Sequence, residues 1–237
     1  MSVEMTNPAG AQYIDFGSPA ATRSLTSKTM MFWFRPDVVN IDQSLFSIYG
    51  NGASDENSAI LVYSARGAKP EFTSTWTTGA SWYTTADQLA AATWAHIAVT
   101  YDGSSTSNDP IIYINGVSVA ITEASAPTGT RDTGTDFNLA ISDPDAAGFA
   151  ADGKFADARI YSTILSAADI LAIYNAGAFS AAYDTNLVFH APLTNAKNLG
   201  GADFNGYTLT SSTTLVDRIA CAVGTPSGSP LGSSSNP

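Results

Sequence analysis

Retaining glycoside hydrolysis needs two carboxyl groups about 5–5.5 Å apart, and this sequence offers few ways to bring two together. Its glutamates are Glu4, Glu56, Glu71 and Glu123, the closest two fifteen residues apart, so no single strand carries a pair. Asp143 and Asp145 are two apart but flank Pro144, which puts them in a turn. The only histidines are His96 and His190. A Ser-His-acid site needs a nucleophile beside an oriented imidazole, and no Gly-x-Ser-x-Gly elbow is present. His96 therefore reads as a packed, hydrogen-bonded side chain, and two isolated histidines make no metal site. Asp157 and Arg159, two apart, share a strand face and read as an ion pair within a sheet.

Two groups of residues point to binding instead. Trp76, Trp82 and Tyr83 cluster in the Thr/Ser-rich stretch 73–85. Aromatic faces stack on sugar rings, so these three are the candidate glycan contacts, with Trp76 equally readable as core. The segment 142–153 carries Asp143, Asp145 and Asp152. Three carboxylates on a loop could supply hard oxygen ligands for calcium, although EF-hand spacing is absent and solvated turn acids are the plain alternative.

Strands must position these groups. Apolar residues alternate with period two in short runs separated by Gly, Pro, Asn, Asp and Ser. In 30–35, Met30, Phe32 and Phe34 fall on one face, with Met31, Trp33 and Arg35 on the other. Further strands are predicted at 60–63, 72–76, 95–101, 137–142, 155–161 and 187–193. Asn115-Gly116 between two β-branched runs predicts a type I′ hairpin. One helix is predicted after Ser166, with Asp169 completing a capping box, an apolar stripe of Ile170, Leu171, Ile173 and Tyr174, and a stop at Gly177.

Several segments together resemble the concanavalin A-like, laminin-G-like jelly-roll family. Tyr13-Ile14-Asp15-Phe16 is similar to its opening strand, and Phe32-Trp33-Phe34-Arg35-Pro36 to its Trp-x-x-Pro strand. Trp94-Ala95-His96-Ile97-Ala98-Val99-Thr100-Tyr101-Asp102-Gly103 resembles the central signature, followed by Ile112-Tyr113-Ile114-Asn115-Gly116. Gly153 to Tyr161 and the helix after Leu165 resemble the family's next strand and helix, so the likeness spans residues 13–177. It implies an all-β fold, a two-sheet antiparallel jelly-roll sandwich with one short helix, with Trp33 and Trp94 packed. It also implies calcium at a loop rim, as in many relatives. The segments 186–193 and 203–209 are similar to the part that usually opens such domains, which predicts a permuted order with the late strand beside the first.

Composition narrows the function classes. The 237 residues fit one large sandwich. Charged residues make up 13%, about half the usual ~25%, and the formal net charge is −11, which argues against nucleic acid as a partner. Cys221 is the only cysteine, no Asn-x-Ser/Thr sequon occurs, and the first residues read as no signal peptide. No apolar run reaches the ~18 residues of a membrane span, so membrane insertion is not expected. Residues 1–223 form the expected domain, and 224–237 is a Gly/Ser/Pro-rich tail that could dock on a neighbouring subunit. The resulting expectation is a non-catalytic structural or accessory protein on a virus particle surface, a phage capsid decoration or tail appendage with glycan-binding capacity. Its alternatives are a carbohydrate-binding module of a secreted or surface protein and, less favoured, a glycoside hydrolase.

Overall fold

Apolar alternation in the strands builds two antiparallel sheets that close face to face. The computed structural model describes residues 2–5, 13–50, 58–133, 137–142, 149–178, 185–193, 208–210 and 214–216. The first sheet runs in the order β11 (Val117–Ser118), β10 (Ile111–Ile114), β9 (Ala95–Asp102), β3 (Ser27–Pro36), β15 (Gly153–Tyr161), β1 (Ser2–Met5) and β18 (Thr214–Val216), with β16 (Leu187–Ala191) also on β15. The second runs β12 (Ile121–Ser125), β8 (Ala80–Thr84), β6 (Pro70–Ser74), β5 (Ser58–Val62), β4 (Gln43–Gly50), β14 (Phe137–Ile141), β2 (Tyr13–Asp15) and β17 (Thr208–Thr210). A two-stranded ribbon joins β7 (Trp76–Thr78) to β13 (Thr128–Arg131). This is the predicted all-β sandwich.

The inward phase of each strand makes the core. Met30, Phe32 and Phe34 of β3, Ile97 and Val99 of β9 and Phe155 of β15 meet Ile60, Phe72, Trp82, Leu139 and Ile141 of the second sheet. At the predicted hairpin, Asn115 and Gly116 take φ of 52° and 80°, the positive pair that a type I′ turn demands.

The outer face of the first sheet is covered by α1 (Ala167–Ala176). Ser166 Oγ accepts from the Asp169 amide at 3.2 Å, and the Asp169 carboxylate accepts from the Ser166 amide at 3.3 Å, so the capping box forms as predicted. Ile170 and Ile173 are buried against Met31, Tyr113 and Tyr161, and Tyr174 stacks on Trp33 with centroids 5.6 Å apart. Leu171, read as part of the same stripe, is 40% exposed. Trp33 and Trp94 are packed beneath this layer.

A β-bulge in β15 sets which side chains face this layer. Ala156 pairs with Trp33 but Arg159 with Met31, so one extra residue sits in the strand. Asp157 absorbs it at φ 53°. Without the bulge Arg159 would share the core face with Phe155; with it, Ala158 and Ile160 turn inward and Arg159 outward. Asp157 and Arg159 are the expected ion pair, bonded at 3.0 Å by both Nε and NH2.

The late strand β16 pairs with β15 rather than with β1 or β2. Along that edge Gly153 to Phe155 pair with β1 and Ala158 to Tyr161 with β16. The two strands lie end to end. Beyond them, β18 pairs with β1 and β17 with β2.

Candidate functional site

The second sheet turns a polar face outward, and the register shows how. Glu71 of β6 stands between Leu61 and Tyr83, while Thr73 stands between Ala59 and Ser81. These alternate with the core row Ile60, Phe72 and Trp82. A single 3-10 turn at Ser64–Arg66 follows β5 and brings Arg66 over this face. A cavity of about 430 Å³ results, lined among others by Tyr63, Arg66, Glu71, Thr73, Gly79 and Ser81.

Charge and aromatic contacts organise the groove. Arg66 NH1 bonds the Glu71 carboxylate, whose side chain is 2% exposed while that of Arg66 is 31% exposed. The guanidinium carbon lies 4.5 Å from the Tyr83 ring centroid and 5.5 Å from that of Tyr63. Lys69 Nζ approaches the same Tyr83 ring at 5.8 Å. Such cation–π contacts hold a long side chain in place. Burial, followed by the charge of Glu71, pushes the Tyr63 phenol above its usual pKa. Phe149 meets the Tyr63 ring edge-on at 5.4 Å. The cavity thus offers hydroxyls, a donor–acceptor ion pair and the ring of Tyr63, while Tyr83 backs Arg66.

The three aromatic residues singled out in the sequence do not converge here. Trp82 is fully buried, and its indole N–H donates to Asp109 at 2.9 Å. Trp76 is 5% exposed and donates to the Tyr101 hydroxyl at 2.9 Å. A ring without an open face cannot stack on a sugar, so both tryptophans are corrected to core residues. Tyr83 is half-buried under Arg66. Arg66, Lys69, Glu71, Thr73 and Ser81 were not singled out. Their signal was the polar phase of Glu71-Phe72-Thr73 and Ser81-Trp82-Tyr83, which alternates with the aromatic residues that drew attention.

For the calcium expectation, Asp143 and Asp145 lie outside the described residues. Asp152 is largely buried, its amide donating to Gln43 Oε1 at 2.9 Å and its carbonyl accepting from the Asp37 amide at 3.0 Å. Among the described residues no group of three or more His, Cys, Asp or Glu could hold a metal ion. The tail 224–237 lies outside the described residues as well.

The histidines sit behind the first sheet. His190 Nε2 meets Asp157 Oδ1 at 2.7 Å. Burial would raise the Asp157 carboxyl, but the His190 hydrogen bond and the Arg159 charge and hydrogen bonds outweigh it and hold the group below its usual pKa. No serine or threonine hydroxyl bonds His190 among the described residues. His96 is fully buried against Trp33, and desolvation lowers its pKa to about 4. It is packed, as expected, although its Nδ1 has no hydrogen-bond partner among the described residues.

Comparison with known proteins agrees with this architecture. The profile of the concanavalin A-like lectin/glucanases superfamily, in a laminin-G form, matches residues 8–171. The chain belongs to that superfamily. Among curated proteins none matches the sequence. Solved superfamily-like folds include a heptameric SAP-like pentraxin from Limulus polyphemus, at 11% identity and TM-score 0.54 over 74% of this chain and 82% of the pentraxin. A Bacteroides ovatus protein proposed to bind carbohydrate aligns at 14% identity and TM-score 0.57, covering 92% of this chain and 61% of the other. The CBM40 of a Ruminococcus gnavus sialidase, bound to α2,3 sialyllactose, aligns at 14% identity and TM-score 0.52, covering 72% of this chain and 95% of the module. At these identities the likeness is one of fold.

Proposed function

We propose that this domain is a non-catalytic carbohydrate-binding module whose ligand lies in the groove of the second sheet. The observation that carries this reading is the convergence of Tyr63, Arg66, Glu71, Thr73 and Ser81 on one open cavity, with Tyr83 backing Arg66. Sugars present hydroxyls that both donate and accept, beside apolar ring faces, and a floor of this kind answers both. Among the similar folds, the Bacteroides ovatus protein and the sialyllactose-bound CBM40 support the reading. A non-catalytic role is supported by the placement of the glutamates among the described residues, Glu56 lying outside them. Register puts Glu71 and Glu123 on opposite faces of the second sheet, and Glu4 is engaged by Lys154 in the first.

A glycan-binding role fits an extracellular or surface location. A place on a virus particle, with tail 224–237 docked on a neighbouring subunit, is a second reading, motivated by the low charge, the single cysteine, the missing sequons and the tail's Gly/Ser/Pro composition. Particle attachment that survives deletion of 224–237 counts against it. Calcium at the 142–153 loop is separately testable, since a melting temperature unmoved by millimolar calcium removes it.

The carbohydrate reading is tested on a glycan array with the wild-type chain and Tyr83→Ala. Selective binding that the variant loses supports the groove. Equal binding by both proteins moves the site elsewhere, and silence across the array removes the reading.

A further inference from the structure

Resting on the carbohydrate reading above, we infer that the groove selects neutral glycans and that Glu71 turns away sugars bearing a carboxylate. Arg66 is the obvious anchor for an acidic sugar, because a guanidinium matches a carboxylate with paired N–H donors. Here that cation is already engaged. Its NH1 holds Glu71, a carboxylate 2% exposed, which has no other described hydrogen-bond partner. A ligand carboxylate docking on the remaining guanidinium N–H groups would stand next to Glu71 with one cation between two anions. The alternative, drawing Arg66 off to serve the ligand, would leave the Glu71 carboxylate without its partner in a desolvated site.

The surroundings add to this. Asp42 accepts from the Ser64 amide at 2.6 Å, at the start of the turn that carries Arg66. Asp87 lies against Gly67 on the other side of it. The turn that carries Arg66 is thus flanked by two further carboxylates, Asp42 and Asp87. The chain as a whole carries −11, and a field of that sign lowers the local concentration of anions. A neutral sugar meets none of these penalties. A hydroxyl can accept from the exposed side of Arg66 without drawing it off Glu71, and Thr73 and Ser81 extend polar contacts across the floor.

The test is an array of neutral and carboxylate-bearing glycans probed with the full chain, followed by titration of any acidic glycan beside its methyl ester. The ester keeps the bulk and removes the charge. Hits confined to neutral glycans, and esters binding about tenfold or more tighter than their acids, support the inference. Raising the ionic strength should narrow that gap, because screening weakens repulsion. Glu71→Gln should narrow it too, and the salt series in the wild type serves should that variant fail to fold. Acidic glycans that bind as tightly as their esters, or whose binding weakens with salt, overturn the inference while leaving the carbohydrate reading intact. An array without any hit overturns both.

Discussion

Arg66 rests on the face of Tyr83, its guanidinium carbon 4.5 Å from the ring centroid, while one of its nitrogens holds the buried carboxylate of Glu71. The turn at Ser64–Arg66 supplies the cation, and two neighbouring strands supply the ring and the acid directly opposite each other. The ring, the cation and the acid therefore act as one unit. Their substitutions should separate cleanly from those of the core row behind them.

Tyr83→Ala removes a half-exposed ring and its cation–π contacts with Arg66 and Lys69, so stability should fall by only about 1 kcal/mol while glycan affinity drops about tenfold or more. Trp82→Ala should behave in the opposite way. It empties a fully buried site and should cost about 3–5 kcal/mol. Urea unfolding of both variants checks this, and a Trp82→Ala protein of wild-type stability would contradict the assignment of that ring to the core.

Arg66→Met strands Glu71 without its counterion. Because Arg66 is 31% exposed, the cost should be about 2–3 kcal/mol, below the ~3–5 kcal/mol of a fully buried pair. Combining it with Glu71→Gln should recover most of that loss. A double-mutant cycle by denaturant unfolding measures the coupling, and additive losses would show that the two side chains do not depend on each other.

Asp157→Asn keeps a residue type tolerant of positive φ but leaves Arg159 buried at 1% exposure without its carboxylate. A loss of about 3–5 kcal/mol is expected, with the sandwich topology unchanged in circular dichroism. Asp157→Ala should cost more, since it adds backbone strain at φ 53°.

Burial keeps His96 neutral, with a pKa of about 4, below the ~6.5 of a free imidazole. Between these values the unfolded chain binds a proton that the folded chain refuses. The contribution is therefore complete above pH 6.5 and is lost as pH falls toward 4, amounting to about 2 kcal/mol by pH 5 relative to pH 8. The depressed Asp157 carboxyl acts at lower pH, leaving this window to the histidine. Urea midpoints at pH 8 and 5 should differ in the wild type by that much more than in His96→Phe, and equal pH slopes would refute the assignment.

Period-two alternation was enough to read strands of both sheets, because a strand with one buried face advertises it, but β4 and β8 of the second sheet were not among those read. The hairpin at Asn115-Gly116 and the capping box at Ser166 were legible for the same reason: few residue types satisfy those backbones. Local patterning did not reveal the bulge at Asp157. A strict alternation would carry Phe155, Asp157 and Arg159 on one face, and only pairing with β3 shows that the phase slips. The candidate site was misread at Trp82, since a large aromatic residue in a strand serves either face and its neighbours on β6 decide which. Arg66 was invisible because its place depends on a turn folding back over the sheet that the strands from β5 to β8 form.

Amide chemical-shift mapping, with 15N-labelled chain titrated by the glycan that the array selects, tests the location of the site most directly. The groove predicts the largest saturable shifts at Arg66, Glu71, Thr73, Ser81 and Tyr83, with the Arg66 side-chain Nε–H moving in step. Shifts concentrated instead on the 149–152 segment, or on the face of the first sheet beneath α1, with these five amides unmoved, would contradict it.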